Sequence, residues 1–260
     1  MLVLALETSS KFGSVALVRE GQVLAFEEYD EANAHAERLL PLVESVLRGA
    51  NCTKSELSRI AVGTGPGNFT GLRVGIALAH GLGMGLEIPV VGVGSLTALA
   101  SRADGSALDA VLVLRDARKQ EFFAAAFDGA LSPLLAPHLV QQADAREWVK
   151  TVVALHVKPG GGWTVVGDGL SGLDRAELAH AGARLTEHGE MLRPDARQVG
   201  ILGEQCEASD WPLPEYIRDV DAVLPTLCKN PALVSPSEPS PTFLPGSGVE
   251  PGPTHRENNG

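Results

Sequence analysis

The sequence predicts an α/β fold in which mixed sheets are flanked by helices, with a second, smaller unit after the first. Three observations carry this prediction. The chain opens with three short apolar runs separated by glycine turns. An apolar run, a glycine turn and a long helical pattern then follow one another between Arg59 and Leu86, and a shorter strand-to-helix step comes at Val90–Ser101. Strands joined by tight turns pair antiparallel, whereas strand–helix–strand units place strands parallel, so one sheet holding both is mixed.

Leu2–Leu6 is the first strand. Ser14–Val18 follows Gly13, and Val23–Glu28 follows Gly21. The period then changes. Ala36, Leu39, Leu40, Val43, Val46 and Leu47 share one helical face, opposite Glu37, Arg38, Glu44 and Arg48. Pro41 is expected to kink this helix and Gly49 to end it. Arg59–Val62 is the next strand, and Gly63, Gly65, Pro66, Gly67 and Asn68 form a tight turn. Thr70 is expected to cap a helix running to Leu86. In that helix Gly71, Gly75, Ala79 and Gly83 recur every fourth residue and form a stripe of small side chains. Each interior glycine costs about 1 kcal/mol relative to alanine, so close approach of another helix is the expected compensation. The segment reads as too short and too glycine-rich to span a bilayer. Pro89 stops it, Val90–Val93 is a strand, and Ser95 is expected to cap a helix to Ser101.

Residues 102–108 read as a linker. Beyond it, Ala110–Leu114 and Phe122–Phe127 are strands, Ala143–Thr151 a helix, Trp163–Val166 a strand ending in Gly167-Asp168-Gly169, and Ala196–Glu207 a helix. From Lys229 proline alternates with Ser, Gly and Glu, a composition with too little apolar surface to offset ordering entropy. The expected units are residues 1–103, residues 104–228, whose last helix is allowed to return to the first unit, and a disordered tail over 229–260.

The chain of 260 residues carries a net charge of −11 and no long run of Lys or Arg. Phosphate backbones repel such a chain, which disfavours direct RNA or DNA binding. Cys52, Cys206 and Cys228 are far apart, with no CxxC, against both a disulfide framework and a zinc knuckle. The first strand begins at Met1 with no basic stretch before it, so the expected compartment is the cytoplasm. HExxH and GxSxG are missing. None of the 7 histidines has a helical partner at metal-ligand spacing, and His35 and His80 read as packing or surface residues. Asp116 and Asp168 each end a predicted strand, either as paired acids or as solvated turn residues.

Two readings of the glycine turn stay open. A strand, a glycine turn and a helix N-terminus together make an anion site in many nucleotide-binding proteins. Here GxxxxGK[ST] and GxGxxG both fail, which leaves a structural turn as the other reading. The phosphate-facing candidates are Glu7, Thr8, Ser9, Gly65, Gly67 and Thr70. A carboxylate with hydroxyls at the end of a first strand is where actin-like ATPases and sugar kinases hold phosphate and Mg²⁺. Those proteins normally have Asp, and Glu is one methylene longer, a displacement Mg²⁺ tolerates poorly.

Leu4-Ala5-Leu6-Glu7-Thr8-Ser9, the helix with Leu39-Leu40-Pro41, and above all GTGPGNFTGLRVGIALAHGL resemble the TsaB (YeaZ) family. The resemblance is strong over residues 1 to about 103. It is looser at DARKQEFF, and returns at Gly167-Asp168-Gly169 and Pro214-Glu215-Tyr216-Ile217-Arg218. It implies two lobes of the actin, Hsp70 and sugar-kinase (ASKHA) type, the second reduced. It implies the non-catalytic subunit of the tRNA threonylcarbamoyladenosine (t6A) machinery, paired with the catalytic paralogue TsaD and joined by the ATPase TsaE. That complex modifies adenosine 37 of tRNAs reading ANN codons, and tRNA is met only through the complex. The catalytic paralogue has an HxxxH metal pair on the helix after the strand resembling Ile88-Pro89-Val90-Val91-Gly92-Val93, and those positions here are Ser95 and Leu99. A leucine cannot bind metal and a lone serine would not hold one. The expectation is therefore no catalytic residue, no metal and no cofactor of its own, with nucleotide at the complex interface left open.

The expected partner interface is the pair of helices over Ala36–Arg48 and Gly71–Leu86. Its residues are Leu39, Leu40, Val43, Val46, Leu47, Gly71, Val74, Gly75, Leu78, Ala79, Leu82 and Gly83, forming a homodimer when the partner is missing and meeting no membrane. The alternative class is a stand-alone ATPase or small-molecule kinase of the same fold, and a glycoprotease is a third reading that the missing metal pair disfavours.

Overall fold

The structure, a computed structural model, describes residues 1–31, 34–103, 107–185, 193–207 and 212–217. Its first sheet comprises β1 (Leu2–Glu7), β2 (Phe12–Arg19), β3 (Gln22–Asp30), β4 (Arg59–Gly65) and β5 (Val90–Gly94), in the order β3-β2-β1-β4-β5. β1 pairs antiparallel with β2, with Leu6 opposite Val15, and parallel with β4, with Leu4 opposite Ile60. β4 and β5 are parallel. The sheet is mixed, as the glycine turns and crossovers predict.

Strand alternation divides this sheet between two cores. Leu2, Leu4 and Leu6 of β1 face α1 (His35–Gly49) and α2 (Phe69–Leu86), packing with Leu39, Val43, Val46, Leu47, Ile76 and Ala79. Val3 and Ala5 face the other way, against α3 (Ser95–Ala100) and α6 (Ala196–Gln205), with Ala16, Ala61, Ala98, Ala196 and Val199. Small residues let α6 lie close: a Cβ at Gly203 would stand 2.4 Å from Ala61 Cβ, and one at Gly200 2.5 Å from Val18 Cγ2. The first sheet is thus closed by a helix that arrives after the second sheet.

The second sheet comprises β6 (Ala110–Asp116), β7 (Glu121–Phe127), β8 (Pro133–Gln141) and β9 (Trp163–Val166), in the order β8-β7-β6-β9. β6 pairs antiparallel with β7 and parallel with β9. Leu112, Leu114, Phe122 and Val165 meet α4 (Ala145–His156) and α5 (Arg175–His180) on one face. Val111, Val113, Phe123 and Val166 meet Leu96, Leu99 and Ala100 of α3 on the other. α3 therefore lies between the sheets, with Ala98 turned to the first and Leu99 to the second. Two mixed sheets with helices packed on them, connected in this way, make an ASKHA-type fold.

Several sequence expectations change at element ends. Asn68, not Thr70, caps α2: its side chain accepts from Gly71 N at 2.9 Å, and Thr70 is exposed inside the first turn. Ser95 is the first residue of α3 rather than its cap, because Gly94 takes that position. β8 and α5 were not expected. At 18 residues α2 does reach the length and apolar character of a membrane span. Its inner side is packed on β1, β4 and β5, and its outer side is exposed. The expected tail over 229–260 lies outside the described residues.

Candidate functional site

β1 delivers Glu7, Thr8 and Ser9 to the point where the first sheet meets the glycine turn. Glu7 is 2% exposed. Its Oε1 accepts from Ser9 N at 2.6 Å and its Oε2 from Ser95 Oγ at 2.8 Å. The carboxylate lies directly over Gly63, where a Cβ would come within 2.1 Å of Oε2, so that position requires glycine. Thr8 Oγ1 donates to Gly71 O at 2.8 Å. Gly65 N donates to Ser95 Oγ at 3.1 Å. A Cβ at Gly67 would meet Ser9 O at 2.1 Å. Glu7, Thr8, Ser9, Gly65 and Gly67 are thus brought together, but their polar atoms bond to one another and to the neighbouring backbone. Thr70 stands apart on the surface.

Arg115 completes this cluster. It comes from β6, is buried, and donates to Ser9 O and Ser9 Oγ, each at 2.8 Å. Burial pushes its guanidinium below the usual arginine range, opposed by the charges of Glu7, Asp168 and Asp116. In the sequence Arg115 begins the charged stretch Arg115-Asp116-Ala117-Arg118-Lys119 between two strands, and nothing in that stretch marks it as the buried member. Asp168 Oδ1 accepts from Asp116 N at 2.7 Å, and Asp116 Oδ1 accepts from Arg118 N at 2.8 Å. These aspartates are turn residues holding backbone.

The glycine stripe faces inward, which corrects the expectation of a helix partner for it. A Cβ at Gly71 would stand 2.2 Å from Thr8 O, one at Gly75 2.3 Å from Thr8 Oγ1, and one at Gly83 2.4 Å from Val90 Cγ2. Ala79 is buried in the same core. The close approach that compensates the glycines is to the strand ends of their own sheet. Leu39, Val43, Val46 and Leu47 are likewise buried under α1 and are not available to a partner. The outward side of the two helices consists of other residues. Leu40 is 43% and Met84 68% exposed, Ala77, Gly81 and Gly85 are exposed, and Val74, Leu78 and Leu82 are half-buried. A Cβ at Gly81 or Gly85 would meet nothing within 4 Å.

The segment 212–217 lies beside the glycine turn. Glu215 N donates to Thr64 O at 2.8 Å, and burial raises the Glu215 carboxyl above its usual range. Arg73 stacks 3.7 Å from the Phe69 ring and donates to Tyr216 Oη at 2.9 Å. Below the turn, His35 Nδ1 and Tyr29 Oη are 2.5 Å apart, and burial holds the imidazole below its usual range. Burial, with the charge of Glu31 second, pushes the Tyr29 phenol up to about 12. Among the described residues no group of three His, Cys, Asp or Glu is placed to hold a metal ion. Leu99, at a position the resemblance aligns with a metal ligand, is fully buried among apolar side chains, and Ser95 is bonded to Glu7.

Comparison with known proteins matches this architecture. A family model described as "TsaD: tRNA N6-adenosine threonylcarbamoyltransferase" matches residues 29–136. The tRNA threonylcarbamoyladenosine biosynthesis protein TsaB of Escherichia coli is 30% identical over 235 residues, covering 84% of this chain and 95% of its own. The protein of the same name from Bacillus subtilis is 35% identical over 155 residues, covering 58% and 66%. The solved structure of YeaZ from Pseudomonas aeruginosa superposes with a TM-score of 0.63 at 27% identity, covering 83% of this chain and 99% of its own. With near-complete coverage of a relative at this identity, the chain belongs to the TsaB family and has its role in t6A modification of tRNA.

Proposed function

We propose that this chain is the non-catalytic scaffold of the tRNA adenosine(37) threonylcarbamoyltransferase complex. It presents α1 and α2 to a TsaD-like catalytic paralogue in the cytoplasm, and a TsaE-like ATPase joins the pair. Together they form t6A37 in tRNAs reading ANN codons. The observation that carries this reading is the outward side of α2. Met84, Gly81, Gly85 and Ala77 form an exposed apolar strip continuous with Val74 and Leu78, and Arg73 is the helix's single charge. A contiguous apolar strip of this kind is the mark of an association surface. In the absence of the paralogue the same strip pairs two copies of the chain. The residues at Ser95 and Leu99 lack metal-binding chemistry, which supports placing catalysis in the partner. A net charge of −11 supports contact with tRNA through the complex rather than through this chain alone.

The test is co-purification with the TsaD-like paralogue. Met84→Asp and Gly81→Leu are expected to leave the isolated chain folded and to abolish both co-purification and t6A formation in a reconstituted assay. Retained pairing in both variants would refute this surface. The stand-alone ATPase or kinase reading is separated by calorimetry with Mg·ATP on the isolated chain: the scaffold binds none in its own cleft, whereas binding with turnover would favour the other class.

A further inference from the structure

The second sheet reaches the glycine turn through one buried cation. Arg115 is 6% exposed, and besides its two bonds to Ser9 it donates to Pro66 O at 3.2 Å. Ser9 O also accepts from Asn68 N at 2.7 Å, so the residue that caps α2 hangs from the same carbonyl. On its other side, Ser9 N is bonded to Glu7, Glu7 to Ser95, and Ser95 to Gly65 N. The turn from Gly65 to Asn68 is therefore gripped at both ends. Isolated in a low-dielectric site, a guanidinium is strongly disfavoured unless an opposite charge and hydrogen-bond acceptors meet it. Ser9 supplies the acceptors, and Glu7, buried one hydrogen bond further on, supplies a counter-charge.

We propose that Arg115 and Glu7 form a cross-sheet latch. The guanidinium from the second sheet positions the β1–β2 turn and the glycine turn, and with them the first turn of α2, while Glu7 is its internal counter-ion. The planar fork matters, because it reaches two carbonyl oxygens and a hydroxyl at once, which a lysine ammonium on its flexible stem does not reproduce. The chain's own carboxylate takes the backbone donor of Ser9 and the hydroxyl of Ser95. The proposal stands independently of which protein covers α2.

Hydrogen exchange followed by mass spectrometry on the full chain tests it. The probes are peptides covering residues 8–12 and 64–72, with residues 145–156 of α4 as internal control. Arg115→Lys and Glu7→Gln are each expected to speed exchange in both probes by about tenfold, the scale of one charge-assisted hydrogen bond, with α4 unchanged. Arg115→Met alone and the double variant Glu7→Gln/Arg115→Met complete a cycle with Glu7→Gln; the double leaves no uncompensated charge, so its effect is expected to fall below the product of those two single effects. Unchanged probes in Arg115→Lys, or a double effect equal to the product, would overturn the latch. If a single variant fails to fold, Ser9→Ala decides, since it removes only the hydroxyl acceptor. An increase of about threefold at residues 64–72 supports the latch, and no increase overturns it.

Discussion

Gly75→Ala and Gly81→Ala sit on one helix, six residues apart, and their predicted effects have opposite signs. Both gain helix propensity, about 1 kcal/mol in favour of alanine. At Gly81 nothing within the chain opposes that gain, because an added Cβ meets no atom within 4 Å, and the melt is taken dilute enough to keep the chain monomeric. At Gly75 the Cβ would stand 2.3 Å from Thr8 Oγ1 and 3.3 Å from Thr8 Cγ2, against a buried and hydrogen-bonded strand end. Overpacking of this kind costs roughly 1–3 kcal/mol. Displacing Thr8 also breaks its bond to Gly71 O, worth about 1 kcal/mol. The net expectation is destabilisation of about 1–3 kcal/mol for Gly75→Ala and stabilisation approaching 1 kcal/mol for Gly81→Ala. For a body of this size each kcal/mol moves Tm by about 2–4 °C. Gly75→Ala should therefore lower Tm by about 2–12 °C and Gly81→Ala raise it by a few degrees. Thermal unfolding monitored by circular dichroism on the isolated chain separates them. A Gly75→Ala variant as stable as the parent would refute the inward placement of the glycine stripe.

Leu99→Ala is expected to lose about 2–5 kcal/mol, because a fully buried leucine between the two sheets leaves a cavity; urea unfolding measures it. His35 carries a lowered folded pKa, so the unfolded chain binds the proton first as pH falls through about 6.5. Stability should fall with pH from there down to the folded value, and His35→Gln should flatten that slope in melts between pH 7 and 5. Tyr29 gives the mirror effect. Its phenol ionises at about 12 folded and at 10.0 in the unfolded reference, so stability should drop as pH rises above 10.0, less steeply in Tyr29→Phe.

The first sheet was legible because its strands are short apolar runs between glycine turns, and helices α1 and α2 because their periods are long. The stripe at Gly71, Gly75, Ala79 and Gly83 was legible as a zone of close approach, but periodicity names a face and not what covers it. The covering elements are the end of β1 at Gly71 and Gly75 and the start of β5 at Gly83, and the surface left for a partner is the opposite side of the helix. β8 is not legible in the sequence because Pro133 and Pro137 break the strand signal, which an edge strand tolerates. α5 spans only 6 residues, too few for a helical period to register. At the candidate site Glu7, Thr8 and Ser9 were found from their position after the first strand. Their sequence leaves a phosphate-facing and a structural role both open, because the group that bonds Ser9 is Arg115, more than a hundred residues away in sequence. A charged run gives no sign of which member will be taken into the interior.

α6 has a consequence for how the molecule is made. The face of the first sheet carrying Val3, Ala5, Ala16, Val18, Ala61 and Val91 is roofed in large part by residues 196–205. A ribosome will have emitted all five strands of that sheet, and the whole of the second, before its roof emerges. During that interval an apolar surface built from the earliest residues stands open to the cell. A gene cut after the first hundred codons would leave it open permanently, so this polypeptide is not divisible at the point where its two halves look separable.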